Sequence, residues 1–84
     1  ETIRMFFQKY DDQGNVHLIL DSDQAGSASL SLYSLQGVRL YSANGLSIHS
    51  GWNKIQVPPY LPPHQLVLAQ IELNGISLTR KLMF

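Results

Sequence analysis

The chain contains no cysteine. That absence removes a thiol nucleophile, a Cys-ligated zinc site and a disulfide framework. A small domain without these staples must hold itself together by burial and strand pairing alone. Charge is also scarce: 14% of residues are charged, and six Lys and Arg are matched by six Asp and Glu. A nucleic-acid binder needs a basic excess or stripe, and neither is present, so no nucleic-acid partner is expected. No apolar run approaches the roughly 20 residues of a membrane-spanning helix. The charged start, apolar centre and small-residue site of a secretory leader are missing as well. The first residue is Glu1 rather than Met, so residues 1–84 read as one domain, a fragment of a longer protein. Proline does not occur before Pro58. No 11-residue window carries the i, i+3, i+4, i+7 spacing of an amphipathic helix.

Chemical motifs are equally sparse. His17, His49 and His64 are dispersed, with no HxH or HExxH spacing, and are expected to face solvent rather than a metal. Asp11, Asp12, Asp21 and Asp23 invite a calcium reading, but Asp is also what turns select for its own backbone hydrogen bonds, and turns are the favoured reading. Serines are many, yet no G-x-S-x-G elbow surrounds any of them, and no Gly-rich phosphate loop occurs. A domain this small rarely keeps a deep pocket once its core is packed. No enzyme activity and no cofactor are expected.

What the chain does have is apolar residues, 44% of the total, in short alternating runs. That fraction is ordinary for a globular domain and argues against disorder. The clearest run is residues 66–84, LVLAQIEL-NG-ISLTRKLMF. Asn74-Gly75 is a strong hairpin signal, because both central positions of a type I′ turn need φ > 0. A two-residue loop there places Leu73 opposite Ile76, Ile71 opposite Leu78, Ala69 opposite Arg80 and Val67 opposite Leu82. Those residues share one face, expected to close the core, and Arg80 is its only charged member. Arg80 is expected either to snorkel past Ala69 to the rim or to be turned outward by a bulge.

The remaining runs are residues 3–10, 16–21, 29–34, 38–41, 46–49 and 52–57, with turn signals between them at 11–15, 22–27, 35–37 and 50–51. Asn44-Gly45 is read as a second reversing turn, and residues 58–63 (PPYLPP) as a cross-over loop, since Pro cannot donate within a paired strand. Turn signals at intervals of about 8–12 residues predict an all-β fold, an antiparallel β-sandwich of about seven strands. Trp52 is expected to close one end of that sandwich and Tyr60 to pack under the proline loop. The other reading of Trp52 and the tyrosines is a carbohydrate-binding face.

Residues 30–41 read LSLYSLQGVRLY, with Leu35-Gln36-Gly37 leading into an Arg-Leu pair. Residues 46–57 read LSIHSGWNKIQV, with Gly51, Asn53, Ile55 and Val57 at alternate positions. Leu61-Pro62-Pro63-His64, a strand, Asn74-Gly75 and the terminal group Arg80-Lys81-Leu82-Met83-Phe84 follow in order. This ordered set resembles the type A C-terminal sorting domains of the Bacteroidota type IX secretion system. The chain departs from that pattern in having no P-N-P near the first strand, His64-Gln65-Leu66 in place of G-x-Y, and Phe84 where many members end in Lys or Arg.

The resemblance implies an immunoglobulin-like sandwich at the end of a cargo protein. It implies a non-catalytic sorting signal that carries the attached cargo domain through the outer-membrane translocon to the cell surface, or into the medium after cleavage. Its partners would be that translocon and the sortase or shuttle proteins of the system. The recognition group is expected at Arg80, Lys81, Leu82, Met83 and Phe84, because a terminal strand offers backbone groups for strand addition. The plain alternative for Arg80 and Lys81 is protection of an edge against aggregation. A carbohydrate-binding or adhesion module is the rival function. Pairing of an exposed edge, residues 3–10, with a second copy is a further expectation.

Overall fold

A computed structural model describes residues 3–8, 12, 13, 15–58 and 65–83. Expectations placed on Tyr10, Asp11, Tyr60, Leu61, Pro62, Pro63, His64 and Phe84 lie outside the described residues. The described chain forms seven strands: β1 (Ile3–Gln8), β2 (Val16–Ser22), β3 (Gly26–Ser34), β4 (Arg39–Ile48), β5 (Gly51–Val57), β6 (Leu66–Leu73) and β7 (Ile76–Met83). They pair, always antiparallel, into a three-stranded sheet β1-β2-β5 and a four-stranded sheet β4-β3-β6-β7. The fold is thus an all-β sandwich, as the alternating runs predict.

Alternation explains the layering. In β3, Ala28, Leu30 and Leu32 are buried while the residues between them are not, and in β6 Val67, Ala69, Ile71 and Leu73 are buried in the same rhythm. Side chains at period two point to one face of a strand. The inward leucines Leu18 and Leu20 of the three-stranded sheet join Leu30, Leu32, Ile71 and Leu73 of the other in one hydrophobic cluster. Each fully buried side chain of this kind contributes about 1.5–3 kcal/mol relative to exposure.

The terminal hairpin has the expected register from Leu73↔Ile76 to Leu66↔Met83. Asn74 has φ 53° and Gly75 φ 80°, so both central residues are left-handed, as a type I′ turn requires. The expectation that both strands close the core needs correction on the β7 side. There Ile76 and Arg80 are exposed, and Leu78 and Leu82 are half-buried. β7 is the outer strand of its sheet, so only β6 lies over the opposing layer in full.

The second Asn-Gly is not a turn. Residues on both sides of it pair with β3, Leu30↔Ala43 before it and Ala28↔Leu46 after it, so Asn44 and Gly45 together face Ser29. Two residues against one is a β-bulge. The dihedrals separate the two cases: only Gly45 is left-handed, at φ 67°, and a type I′ reversal needs both residues to be so. A second register shift beside Leu40 bends the same strand again.

This assignment predicts different responses at the two Asn-Gly pairs. Gly45→Ala is expected to cost about 1 kcal/mol or more, because alanine is strained at φ > 0. Asn44→Ala is expected to stay within about 0.5 kcal/mol, as at an ordinary surface position. Urea unfolding measures both, and a large loss for Asn44→Ala would restore the turn.

Candidate functional site

The residues singled out in the sequence fall at the two ends of the sandwich. Gly51, Asn53, Asn74 and Gly75 lie at one end. Leu35, Gln36, Gly37 and the last residues of β7 lie at the other.

The first end is a set of hydrogen-bonded corners. Asn53 is buried on the inward face of β5. Its Oδ1 accepts from the His49 backbone N–H at 3.1 Å, and its Nδ2 donates to the carbonyls of His49 at 2.9 Å and Gly51 at 3.2 Å. Nδ2 also lies 3.4 Å from the Leu20 carbonyl in the neighbouring strand. The side-chain amide therefore satisfies backbone groups where the chain leaves β4, crosses between sheets and enters β5 at Gly51, whose φ is 101°. The Gly-x-Asn spacing is thus explained by backbone satisfaction at a corner.

Asn74 plays a similar part at the hairpin tip. Its Nδ2 donates to Gln24 Oε1 at 3.0 Å and to the Ala25 carbonyl at 3.1 Å. The tip is thereby tied to the link between β2 and β3. That link is itself folded by Ser22, whose Oγ donates to the Gln24 carbonyl at 2.8 Å and accepts from the Gln24 N–H at 3.0 Å. Gly26 makes the approach feasible, because a Cβ there would lie 2.3 Å from Asn74 Oδ1. The turn at Asn74-Gly75 is legible in the sequence, but its partner is not. Gly26 gives no local signal of its role, since the contact is made across the fold.

The second end is open and differently composed. The β3–β4 turn is closed by Ser34 N–H to the Val38 carbonyl at 2.8 Å, Gly37 N–H to the Ser34 carbonyl at 3.0 Å, and Val38 N–H to Ser34 Oγ at 3.1 Å. Gly37, at φ 90°, allows this geometry, and the closed turn pushes Leu35 and Val38 outward, at 50% and 60% exposure. Val38 is therefore turn rather than the first strand residue expected of it. Beside the turn, Leu35, Leu40, Leu66 and Gln65 line a cleft of about 300 Å³. The same end of the sheet carries Met83, 57% exposed, opposite Leu66, and Lys81 opposite Leu68. Arg39 lies over the Tyr33 ring at 6.0 Å, one strand over from Leu68.

Arg80 is exposed, and the register runs through it without a shift, so the expected bulge is not there. Its Nη1 donates to the Thr79 carbonyl at 3.2 Å. Position on the edge strand, where the inner face is only half covered, is what frees it. Among the described residues, the four-stranded sheet bears one carboxylate, Glu72, level with Ser77 near the hairpin tip. Basic and apolar side chains thus gather at the end away from it.

Trp52 does not close an end of the core. It stands on the outer face of the three-stranded sheet, in register with Asp21 and, beyond it, Arg4. Asp21 pairs with Arg4, which accounts for one carboxylate of the calcium reading. Among the described residues no group of three His, Asp or Glu is placed to hold a metal ion. Compared with known proteins, the chain matches no family model, no curated protein and no solved structure.

Two predictions follow from the corners. Asn53→Ala is expected to destabilise by about 2–3 kcal/mol, and Asn53→Asp to fail as a rescue, because a carboxylate accepts from His49 N–H but repels the two carbonyls. Equal stability of the aspartate variant and wild type would refute that account. Gly26→Ala is expected to be costly in the native background and much less so beside Asn74→Gly, which removes the obstructing amide and keeps the left-handed turn. A double-mutant cycle in urea reads the coupling, and additive costs would contradict the contact.

Proposed function

We propose that the chain is a non-catalytic sorting domain that directs an attached protein through the outer-membrane type IX translocon to the cell surface. The observation that carries this reading is the placement of the Leu35-Gln36-Gly37 turn and the end of β7 at one exposed end of the four-stranded sheet, with the start of β6 between them. A recognition label needs side chains fixed in position yet not spent on the core. Leu35, Lys81 and Met83 meet both conditions, being held by a closed turn and a regular ladder and remaining exposed. β7 is also an edge strand with no ladder on its outer side, so its backbone groups are available for strand addition where β1, which packs beside it, does not cover them.

On this reading the recognised group is Arg80, Lys81, Leu82 and Met83, with Phe84 next in sequence. The partners are the translocon and the sortase or shuttle proteins, and the cargo domain lies upstream. The destination is the cell surface, or the medium after cleavage. The immunoglobulin-like type of the sandwich belongs to the same proposal. Seven antiparallel strands in two sheets support it, although β4 pairs with β3 here, unlike the constant-type order in which the fourth strand joins the other sheet.

Deleting the last residues would strip β6 of its partner and confuse recognition with folding. Exposed side chains give the cleaner test. In a host with this secretion system, a reporter fused ahead of the chain and carrying Lys81→Glu with Met83→Ser is expected to accumulate in the periplasm. Its stability should stay within about 0.5 kcal/mol per substitution. Surface delivery of this folded variant at the wild-type level would sink the proposal.

A further inference from the structure

We propose that the outer face of the three-stranded sheet carries a glycan site, in which an anionic pyranose sits against the Phe6–Trp52 pair and Lys54 receives its charge. The site lies on the sheet opposite the proposed sorting surface and does not depend on that reading.

Phe6 and Trp52 stand on the two edge strands of this sheet, and Ile19 lies between them on β2. The rings meet edge to face, with centroids 6.0 Å apart and planes at 73°. They cover Ile19, which is buried although its parity points it away from the core. Yet they remain 48% and 54% exposed. A shallow depression of about 380 Å³ lies beside the pair, lined by Phe6, Phe7, Ile19, Trp52 and Lys54. That volume is at the lower end of the range of small-molecule sites, roughly 300–1,000 Å³.

The indole is held in place. The Arg4 guanidinium lies over the Trp52 ring, 5.7 Å from its centroid, and Asp21 fixes the guanidinium by an ion pair. Arg4 does not line the depression. It therefore orders the aromatic wall and leaves the depression free, which lowers the ordering cost of a ligand. The pyranose C–H bonds carry partial positive charge and match the negative face of an aromatic ring.

Lys54 supplies the selectivity. It is exposed, it borders the depression, and it has no ion pair among the described residues. Asp21, the carboxylate on this face among the described strand residues, is already paired with Arg4. Among the described residues the face thus keeps one uncompensated positive charge beside an aromatic slot, which complements a sugar carrying carboxylate or sulfate. A peptide fits less well. The slot opens on a sheet face, where the backbone of β2 is committed on both sides to ladders with β1 and β5, so the slot's floor offers no backbone partner to an extended chain. Along β5, Trp52, Lys54 and Gln56 follow at about 6.8 Å intervals on the same face. That track suits a short oligosaccharide, and Gln56 is ordered by donation from its Nε2 to Asn15 Oδ1 at 3.1 Å.

Trp52 is the only tryptophan in the chain, so its fluorescence reports this site directly. The 84-residue chain is titrated with oligogalacturonate, a sulfated oligosaccharide, a neutral cello-oligosaccharide and an acidic, aromatic peptide. A saturable change is expected with one or both anionic glycans, weakened by added salt. Lys54→Gln should weaken it about fivefold or more, and calorimetry of Trp52→Ala should show it lost. The response to carboxylated against sulfated sugar tells which anion is read. Lys54→Gln alters only an exposed side chain, so it tests the site even if Trp52→Ala fails to fold. No response to either anionic glycan, equal binding of the neutral one, or a response to the peptide alone would each overturn the proposal.

Discussion

One leucine-rich stripe, shared between the two sheets, is the constraint on which everything else rests. No disulfide is available, so the sheets are held together by the burial of Leu18 and Leu20 against a layer built from Leu30, Leu32, Ile71 and Leu73. A small domain buries proportionally less of its surface than a large one, and its net stability is a difference of a few kcal/mol between large terms. The central strands must therefore alternate with few exceptions, and β3 and β6 do. The outer strands are released from that demand. In the four-stranded sheet β7 and β4 carry more exposed positions, and it is there that its bulges and basic side chains occur.

The polar residues that the core admits divide the molecule further. Asn53 and Ser22 are the buried polar side chains among the described residues, and both bond backbone groups at one end of the sandwich. Asn74 adds a third tie at that end. An unmet buried amide or carbonyl costs about 1–3 kcal/mol, so these side chains stabilise mainly by what they prevent. At the opposite end, the β3–β4 turn closes on its own backbone and on Ser34, and projects Leu35 and Val38 into solvent. One end is tied by side chains across the fold. The other presents side chains that the described chain covers only in part. On the proposed reading, stability and recognition are thereby assigned to different places on a small scaffold.

How much of this the sequence reveals depends on whether the cause is local. The Asn74-Gly75 hairpin is legible because its register follows from two dihedrals and a period of two. The alternation in β3 and β6 is legible for the same reason. The Asn44-Gly45 bulge is not, since the same dipeptide permits a bulge or a reversal, and the choice is made by β3 pairing on both sides of it. Trp52 misleads in a similar way. Its size argues for burial, but its parity in β5 places it outside, beside Phe6 and Arg4 from a strand far away in sequence. Parity was readable here: Asn53, Ile55 and Val57 are inward, so Trp52 had to be outward. The placement of Leu35 and Met83 at one end of the sheet was hidden, because it requires β3 to lie beside β6.

The two exposed surfaces are separable on physical grounds. The aromatic slot stands on one sheet and the apolar, basic end on the other, with the shared core, roughly 10 Å thick in packed sheets, between them. Both consist of side chains that point away from the core. A change at Lys54 therefore leaves the register of β6 and β7 untouched, and a change at Lys81 leaves Trp52 braced by Arg4. Asn53 is the exception, since it sits next to Trp52 and its loss would disturb the corner that leads into β5. Loss of glycan binding in an Asn53 variant would thus speak about folding of that corner. Loss in a Lys54 variant would speak about the site itself.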